Sequence, residues 1–198
     1  MKFVFCVETP RGLNRHVIKR VRWEKPPHGW IKLNMYGAAE GNPRLAGCGG
    51  LLRDDHGNWI ASFKRRIGTS TSFVAELWGL RDGLSLCINL NIPSLIVELD
   101  AKAIVDILQN SNYENSILSP ILDDCRQLMG RFHQVQVKHC YRQANHCADR
   151  LARLGTVQTL NFVCFDSPSE DIRNVLDKDC NGRFFNRICN DLVVSFSC

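Results

Sequence analysis

The chain lacks any run approaching the roughly 18 consecutive apolar residues of a membrane-spanning helix, so no membrane partner is expected. No secretory signal is expected either. The apolar stretch at residues 1–7 is too short for an h-region and is followed at once by Glu8, Pro10 and Arg11. None of its ten cysteines forms a C-x-x-C pair, and His139-Cys140 and His146-Cys147 match no common zinc-finger spacing. Several cysteines sit among apolar neighbours, as Cys87 does between Leu86 and Ile88, which is how reduced, buried thiols behave in intracellular proteins. No repeat and no low-complexity segment interrupts the 198 residues. The expectation is a soluble, monomeric protein inside the cell, with nucleus and cytoplasm left open.

What is present is an ordinary globular composition, with 44% hydrophobic residues, enough to build a core without disulfides or metal. The formal net charge is +5, from 25 Lys+Arg against 20 Asp+Glu. A mildly basic balance suits a polyanion, since phosphate contacts supply most non-specific affinity for nucleic acid. The basic residues concentrate in Arg11, Arg15, Lys19, Arg20 and Arg22, and again in Lys64, Arg65 and Arg66. A solvated surface explains each run equally well.

Residues 1–29 read as a basic leader that ends in the rigid Pro26-Pro27-His28-Gly29. A regular series follows. Residues 30–36 alternate as a strand, 37–44 form a turn, 45–53 a second strand, 54–57 a hairpin turn and 58–66 a third strand. The period then changes. Ser70, Thr71 and Ser72 offer N-cap oxygens, and Val74, Leu77, Trp78, Leu84 and Ile88 recur at helical spacing until Asn91-Ile92-Pro93. Residues 94–99 form a buried strand, 101–109 and 118–132 helices, 134–141 a strand, and 143–154 a last helix stopped by Gly155. Residues 156–198 read as an irregular tail with one candidate strand at 192–196. A right-handed crossover predicts that strands 30–36 and 94–99 lie side by side and parallel.

Three acids draw notice in this order. Asp100 ends a buried strand, where open α/β sheets place their ligands. Glu76 lies early in the helix before it, and Asp149 lies four residues after Asn145 on the last helix. Taken singly, each is also explained as a cap or a surface charge.

Together the blocks resemble a specific family. Trp30-Ile-Lys-Leu-Asn-Met-Tyr36-Gly-Ala, Gly41-Asn42-Pro43 and Gly47-Cys-Gly-Gly-Leu-Leu-Arg-Asp resemble the opening of the plant-type ribonuclease H-like domains found in non-LTR retrotransposons and in short stand-alone genes. Ala75-Glu76-Leu77-Trp78, Val97-Glu98-Leu99-Asp100 and His139-Cys-Tyr-Arg-Gln-Ala-Asn145-His-Cys-Ala-Asp149 resemble their later elements. The resemblance implies an α/β ribonuclease H-like fold over residues 30–155, with a five-stranded mixed sheet and helices on both faces. It implies metal-dependent endonucleolytic hydrolysis of RNA in RNA–DNA hybrids, with two Mg²⁺ or Mn²⁺ ions about 4 Å apart held by carboxylates. Glu76, Asp100 and Asp149 match three of the four metal-binding catalytic acids. Gly41 and Asn42 should approach 2′-hydroxyls, and Ser70, Thr71 and Ser72 the phosphate backbone.

The fourth acid is missing. Where the family reads Asp-Gly-Ala, this chain has Tyr36-Gly37-Ala38. A phenol with a pKa of about 10 is neutral at pH 7 and a poor ligand for Mg²⁺. Glu40 is near in sequence but on the turn, too displaced to substitute. Arg44 and Gln143 also depart from the commoner Gly and Glu, and His139 reads as a strand residue rather than part of a mobile loop. Three functions are therefore expected in competition: a hybrid-binding domain with impaired cleavage, an active ribonuclease using the three remaining acids, and a protein-interaction module that reuses the fold.

Overall fold

The computed structural model describes residues 16–41, 44–110 and 117–190. Eight strands and five helices follow one another along the described chain. They are β1 (His16–Val21), β2 (Ile31–Glu40), β3 (Leu45–Arg53), β4 (Trp59–Thr69), α1 (Ser72–Asn89), β5 (Ser94–Leu99), α2 (Lys102–Gln109), α3 (Ser119–Met129), β6 (Gln134–His139), α4 (His146–Val157), β7 (Phe162–Phe165), α5 (Glu170–Cys180) and β8 (Phe185–Asn190). No described helix is long and apolar enough to cross a membrane.

The main sheet has the order β6-β5-β2-β3-β4-β7. β2, β3 and β4 form the expected antiparallel meander, and β5 lies parallel to β2 with Ile31 beside Leu95 and Asn34 beside Glu98. β6 continues in parallel, and β7 closes the other edge antiparallel to β4. The sheet thus has six strands rather than five. The sixth, β7, lies in the segment read from sequence as an irregular tail. Four residues are too few to display a strand period, and Phe162 is fixed instead by stacking on Phe63 at 5.7 Å.

Each face of the sheet is covered, as helices on both faces require. Leu33, Met35 and Cys48 meet Leu77, Leu80 and Leu84 of α1 on one side, where Ile104 of α2 and Leu122 of α3 complete the core. On the other side, Leu51 meets Cys147 and Leu151 of α4 and Ile172 of α5.

Two glycines set the depth of packing. Gly37 reads as a turn residue in sequence, yet it lies inside β2, because a Cβ there would stand 2.3 Å from the backbone nitrogen of Glu76. The first turns of α1 therefore press against β2. Gly155 reads as a helix stop, yet α4 runs through it to Val157. A Cβ at Gly155 would stand 2.6 Å from the carbonyl oxygen of Arg65, so this glycine admits β4 rather than ending the helix.

Packing also continues across the expected boundaries at residues 29 and 155. β1 pairs with β8 from His16–Asn190 to Val21–Phe185, and Trp23 is buried. The Trp23 indole donates to Asn34 Oδ1 at 2.8 Å, and Arg53 donates to the same oxygen at 3.0 Å and to Asp179 of α5 at 3.1 Å. The guanidinium of Arg53 lies 3.7 Å from the centre of the Trp23 ring. The candidate strand at residues 192–196 lies outside the described residues.

Candidate metal and nucleic-acid site

The register between β2 and β5 determines what stands beside what. Asn34 pairs with Glu98, and continuing both strands by two residues brings Asp100 level with Tyr36. Glu76 reaches the same place from the other direction, because Gly37 lets α1 sit on β2. Its Oε1 accepts a hydrogen bond from the Ala101 backbone N–H at 3.2 Å, and its carboxyl is hydrogen-bonded to that of Asp100.

Asp149 is brought in by α4. The Asn145 side chain is buried and donates to the carbonyl oxygen of Met35, the residue before Tyr36, at 2.8 Å. The Asp149 N–H donates in turn to the Asn145 carbonyl at 3.0 Å. One asparagine thus anchors the start of α4 to β2 and points the first helical turn at Tyr36. This explains why the motif separates Asn145 and Asp149 by four residues.

The electrostatics bear the imprint of this convergence. Burial, then the charges of Asp100, Asp149 and Glu76, push the Tyr36 phenol up to about 12, against the opposing pull of Arg142. Burial raises Glu76 to about 8, reinforced by the neighbouring Asp100 charge. Asp100 is also raised, chiefly by burial, while its hydrogen bond from Glu76 and the Arg142 charge hold it down. Burial and mutual repulsion thus raise the proton affinity of the Glu76–Asp100 pair, Glu76 the more strongly.

Two arginines that the sequence reading passed over complete the site. Arg142, in a 3₁₀ turn at Arg142–Ala144, donates to Asp149 Oδ1 at 2.8 Å and lies 5.2 Å from the centre of the Tyr36 ring. Arg153 donates to both oxygens of Asp149, at 3.2 and 3.3 Å, and to Glu40 at 2.5 Å. The signal for Arg153 was available, since it follows Asp149 by four residues on a helix. Glu40 is thereby held at the rim by Arg153. Gln143 is turned away and accepts from Arg187 at 3.1 Å. His139 is exposed at the end of the edge strand β6, edge-on to Tyr141 at 5.2 Å.

Of the residues expected to face nucleic acid, Gly41 is exposed in the β2–β3 turn, and Asn42 lies outside the described residues. The Ser70 N–H donates to the Arg44 carbonyl at 3.2 Å, so this turn adjoins the start of α1. Thr71 is the N-cap, its hydroxyl accepting from the Val74 N–H at 3.2 Å, and Thr71 and Ser72 are exposed. Gly41, Arg44, Ser70, Thr71 and Ser72 form one rim.

The sequence profile of the family described as reverse transcriptase-like matches residues 34–155, which includes every element of this site. The chain belongs to that family. Its domain is ribonuclease H-like, in agreement with its similarity to solved structures. The N-terminal RNase H domain of Rv2228c from Mycobacterium tuberculosis superposes with a TM-score of 0.60 at 28% identity, over 64% of this chain and 93% of that one. LC11-RNase H1, solved in complex with an RNA/DNA hybrid, gives 0.58 at 23% identity over 64% and 96%, a likeness of fold alone. At1g65750 of Arabidopsis thaliana, a protein named for ribonuclease H, is 34% identical over 172 residues, 86% of this chain. The ribonuclease H-like chain spans 28% of that protein's length and 34% of full-length Rv2228c.

Proposed function

We propose that this domain binds nucleic acid, with RNA–DNA hybrid as its preferred ligand, and hydrolyses it weakly or not at all. The observation that carries this reading is the contact of Arg142 with both Asp149 and Tyr36. A divalent cation needs deprotonated, uncommitted oxygen donors. Here Asp149 already serves two guanidinium groups, Glu76 keeps its proton to about pH 8, and Tyr36 stays a neutral phenol. Glu76, Asp100 and Asp149 would be the residues to hold a hard cation, Mg²⁺ or Mn²⁺, but as arranged here their carboxylate oxygens do not close around a single point. They do not fit a pair, because no fourth carboxylate is available to bridge and Arg142 competes for the space. Metal ions in such sites activate water and stabilise a leaving oxygen of a phosphodiester. The chain's own residues contribute the rim. Backbone groups at Gly41 and hydroxyls at Ser70, Thr71 and Ser72 suit the 2′-hydroxyls and phosphates of an A-form-like duplex.

A second reading, an active hybrid ribonuclease, is favoured by the placement of Glu76, Asp100 and Asp149 about Tyr36, near enough for all three charges to raise its phenol. Cleavage of a labelled hybrid in Mg²⁺ or Mn²⁺, run beside Tyr36→Asp, separates the two. Parent turnover is expected to lie orders of magnitude below that of Tyr36→Asp, because the substitution restores the shared ligand. Equal rates would sink the impaired-site reading. Absence of salt-dependent hybrid binding by either protein would leave only the protein-interaction module.

A further inference from the structure

β1 and β8 lie outside the residues matched by the family and form their own two-stranded antiparallel ribbon. Strand alternation divides its side chains. Val21, Lys19, Phe185 and Arg187 face the domain. Lys19 and Arg187 both lie over the Tyr141 ring, at 4.9 and 4.4 Å, and Phe185 meets His146 at 4.4 Å. The ribbon is thereby seated on the turn that carries Arg142, directly beside the acid site.

The outward face is different. Ile18 and Ile188 are cross-strand partners and are 63% and 69% exposed. Phe184 is 44% exposed, and the guanidinium groups of Arg20 and Arg22 stand 4.4 and 4.7 Å from its ring centre. Arg20, Arg22 and Phe184 also line a cavity of about 260 Å³ that runs to Tyr141. Two carboxylates adjoin it. Glu98 is already committed to Lys32 and Asn34, and Glu24 makes only a 4.0 Å contact with Arg22.

We propose that this face of the β1–β8 ribbon is an accessory binding surface for an unpaired strand of nucleic acid, continuing the path of a duplex held at the acid site. The inference rests on the nucleic-acid-binding reading above. The chemistry favours an unpaired strand over a duplex. An exposed aromatic ring on an open ribbon can stack only on bases that are free of their own stack, and arginines beside it can take the adjoining phosphates. A duplex would offer phosphates alone and leave Phe184, Ile18 and Ile188 uncovered.

The test uses the full chain and two hybrids, one blunt and one with a single-stranded RNA extension of about eight nucleotides. The extension is expected to tighten binding by about tenfold, the gain of roughly one stacked base with its phosphate contacts. Phe184→Ala should abolish that gain and leave blunt-hybrid affinity unchanged. Arg20→Ala with Arg22→Ala should abolish it too, and lower the slope of log affinity against log salt by about 1.4 for the extended ligand. All three residues are exposed, so unchanged melting temperatures are expected, and the Phe184 variant stands on its own if the arginine pair alters folding. Blunt binding by the parent without any gain from the extension overturns the ribbon and leaves the domain reading intact. Absence of binding to either hybrid overturns both. Concentration-dependent self-association that Ile188→Lys abolishes would identify the face as a protein interface and likewise overturn the proposal.

Discussion

At the site, one residue alters the meaning of its neighbours. With aspartate at position 36, four carboxylates would repel one another until a cation entered. With Tyr36, the charge of the remaining acids is offset by internal means, through the raised proton affinity of the Glu76–Asp100 pair and the guanidinium groups of Arg142 and Arg153. This has a pH signature. Glu76 ordinarily titrates at 4.5 and is raised to about 8 in the folded domain. A carboxyl raised on folding stabilises the fold fully below its unfolded pKa and loses that contribution as pH rises through the folded value. In metal-free buffer, the parent should therefore lose stability progressively between pH 4.5 and about 8. Glu76→Gln removes this ionisation and should melt increasingly above the parent across that window, each kcal/mol being worth about 2–4 °C in a chain of this length. A constant difference in melting temperature from pH 4.5 to 9 would show that Glu76 is not the protonated member. Tyr36, at about 12, should contribute no titration in this range.

At the scale of elements, residue periodicity carried most of the fold. β3 and β5 fall where the small apolar run at 45–53 and the β-branched residues of 94–99 place them, and Thr71 caps α1 from within the Ser70–Ser72 cluster expected to do so. What the pattern could not separate was a glycine that bends the chain from a glycine that admits a neighbour. Gly37 and Gly155 are both of the second kind, and local sequence is silent about a strand that arrives from far away. The consequence is measurable. Gly155→Ala should improve intrinsic helix propensity by about 0.8–1.0 kcal/mol, yet its methyl must displace the Arg65 carbonyl and the sheet behind it. A net loss of about 1–3 kcal/mol in urea unfolding is expected. A net gain would mean that α4 is free to lift from β4. α5 was legible in principle, since Ile172, Val175 and Leu176 have helical spacing after Ser169, but three apolar positions in a polar segment make a weak stripe.

The whole molecule is held by a polar spine that no periodicity reveals. It runs from Lys32 and Asn34 through Glu98 on one side, and through Arg53 to Asp179 on the other, with Trp23 covering the guanidinium. Sequence separation hides it, because Arg53 and Asp179 are 126 residues apart. Both side chains are 1% exposed, and the Cys147 thiol donates to the same Asp179 oxygen at 3.3 Å. Burying two charges is costly, and the pair's own attraction roughly offsets that cost, so its presence alone says little about net stability. Removal of one partner is a different matter. Asp179→Ala leaves a guanidinium in the interior facing only Asn34 and the Trp23 ring, and should cost about 3–5 kcal/mol. Arg53→Met combined with Asp179→Leu removes both charges and should cost less than the sum of the single changes, a coupling read from a double-mutant cycle in denaturant. The same reasoning applies to a chain cut to residues 30–155. It would keep every residue of the acid site but strip Arg53 of both Asp179 and Trp23, and expose the Leu51–Leu151 side of α4 that Ile172 covers. Such a fragment should unfold at a lower urea concentration than the full chain. A fragment as stable as the parent would show that leader and tail are attachments, whereas the expected loss would make them part of the packing around Arg53 and Leu51.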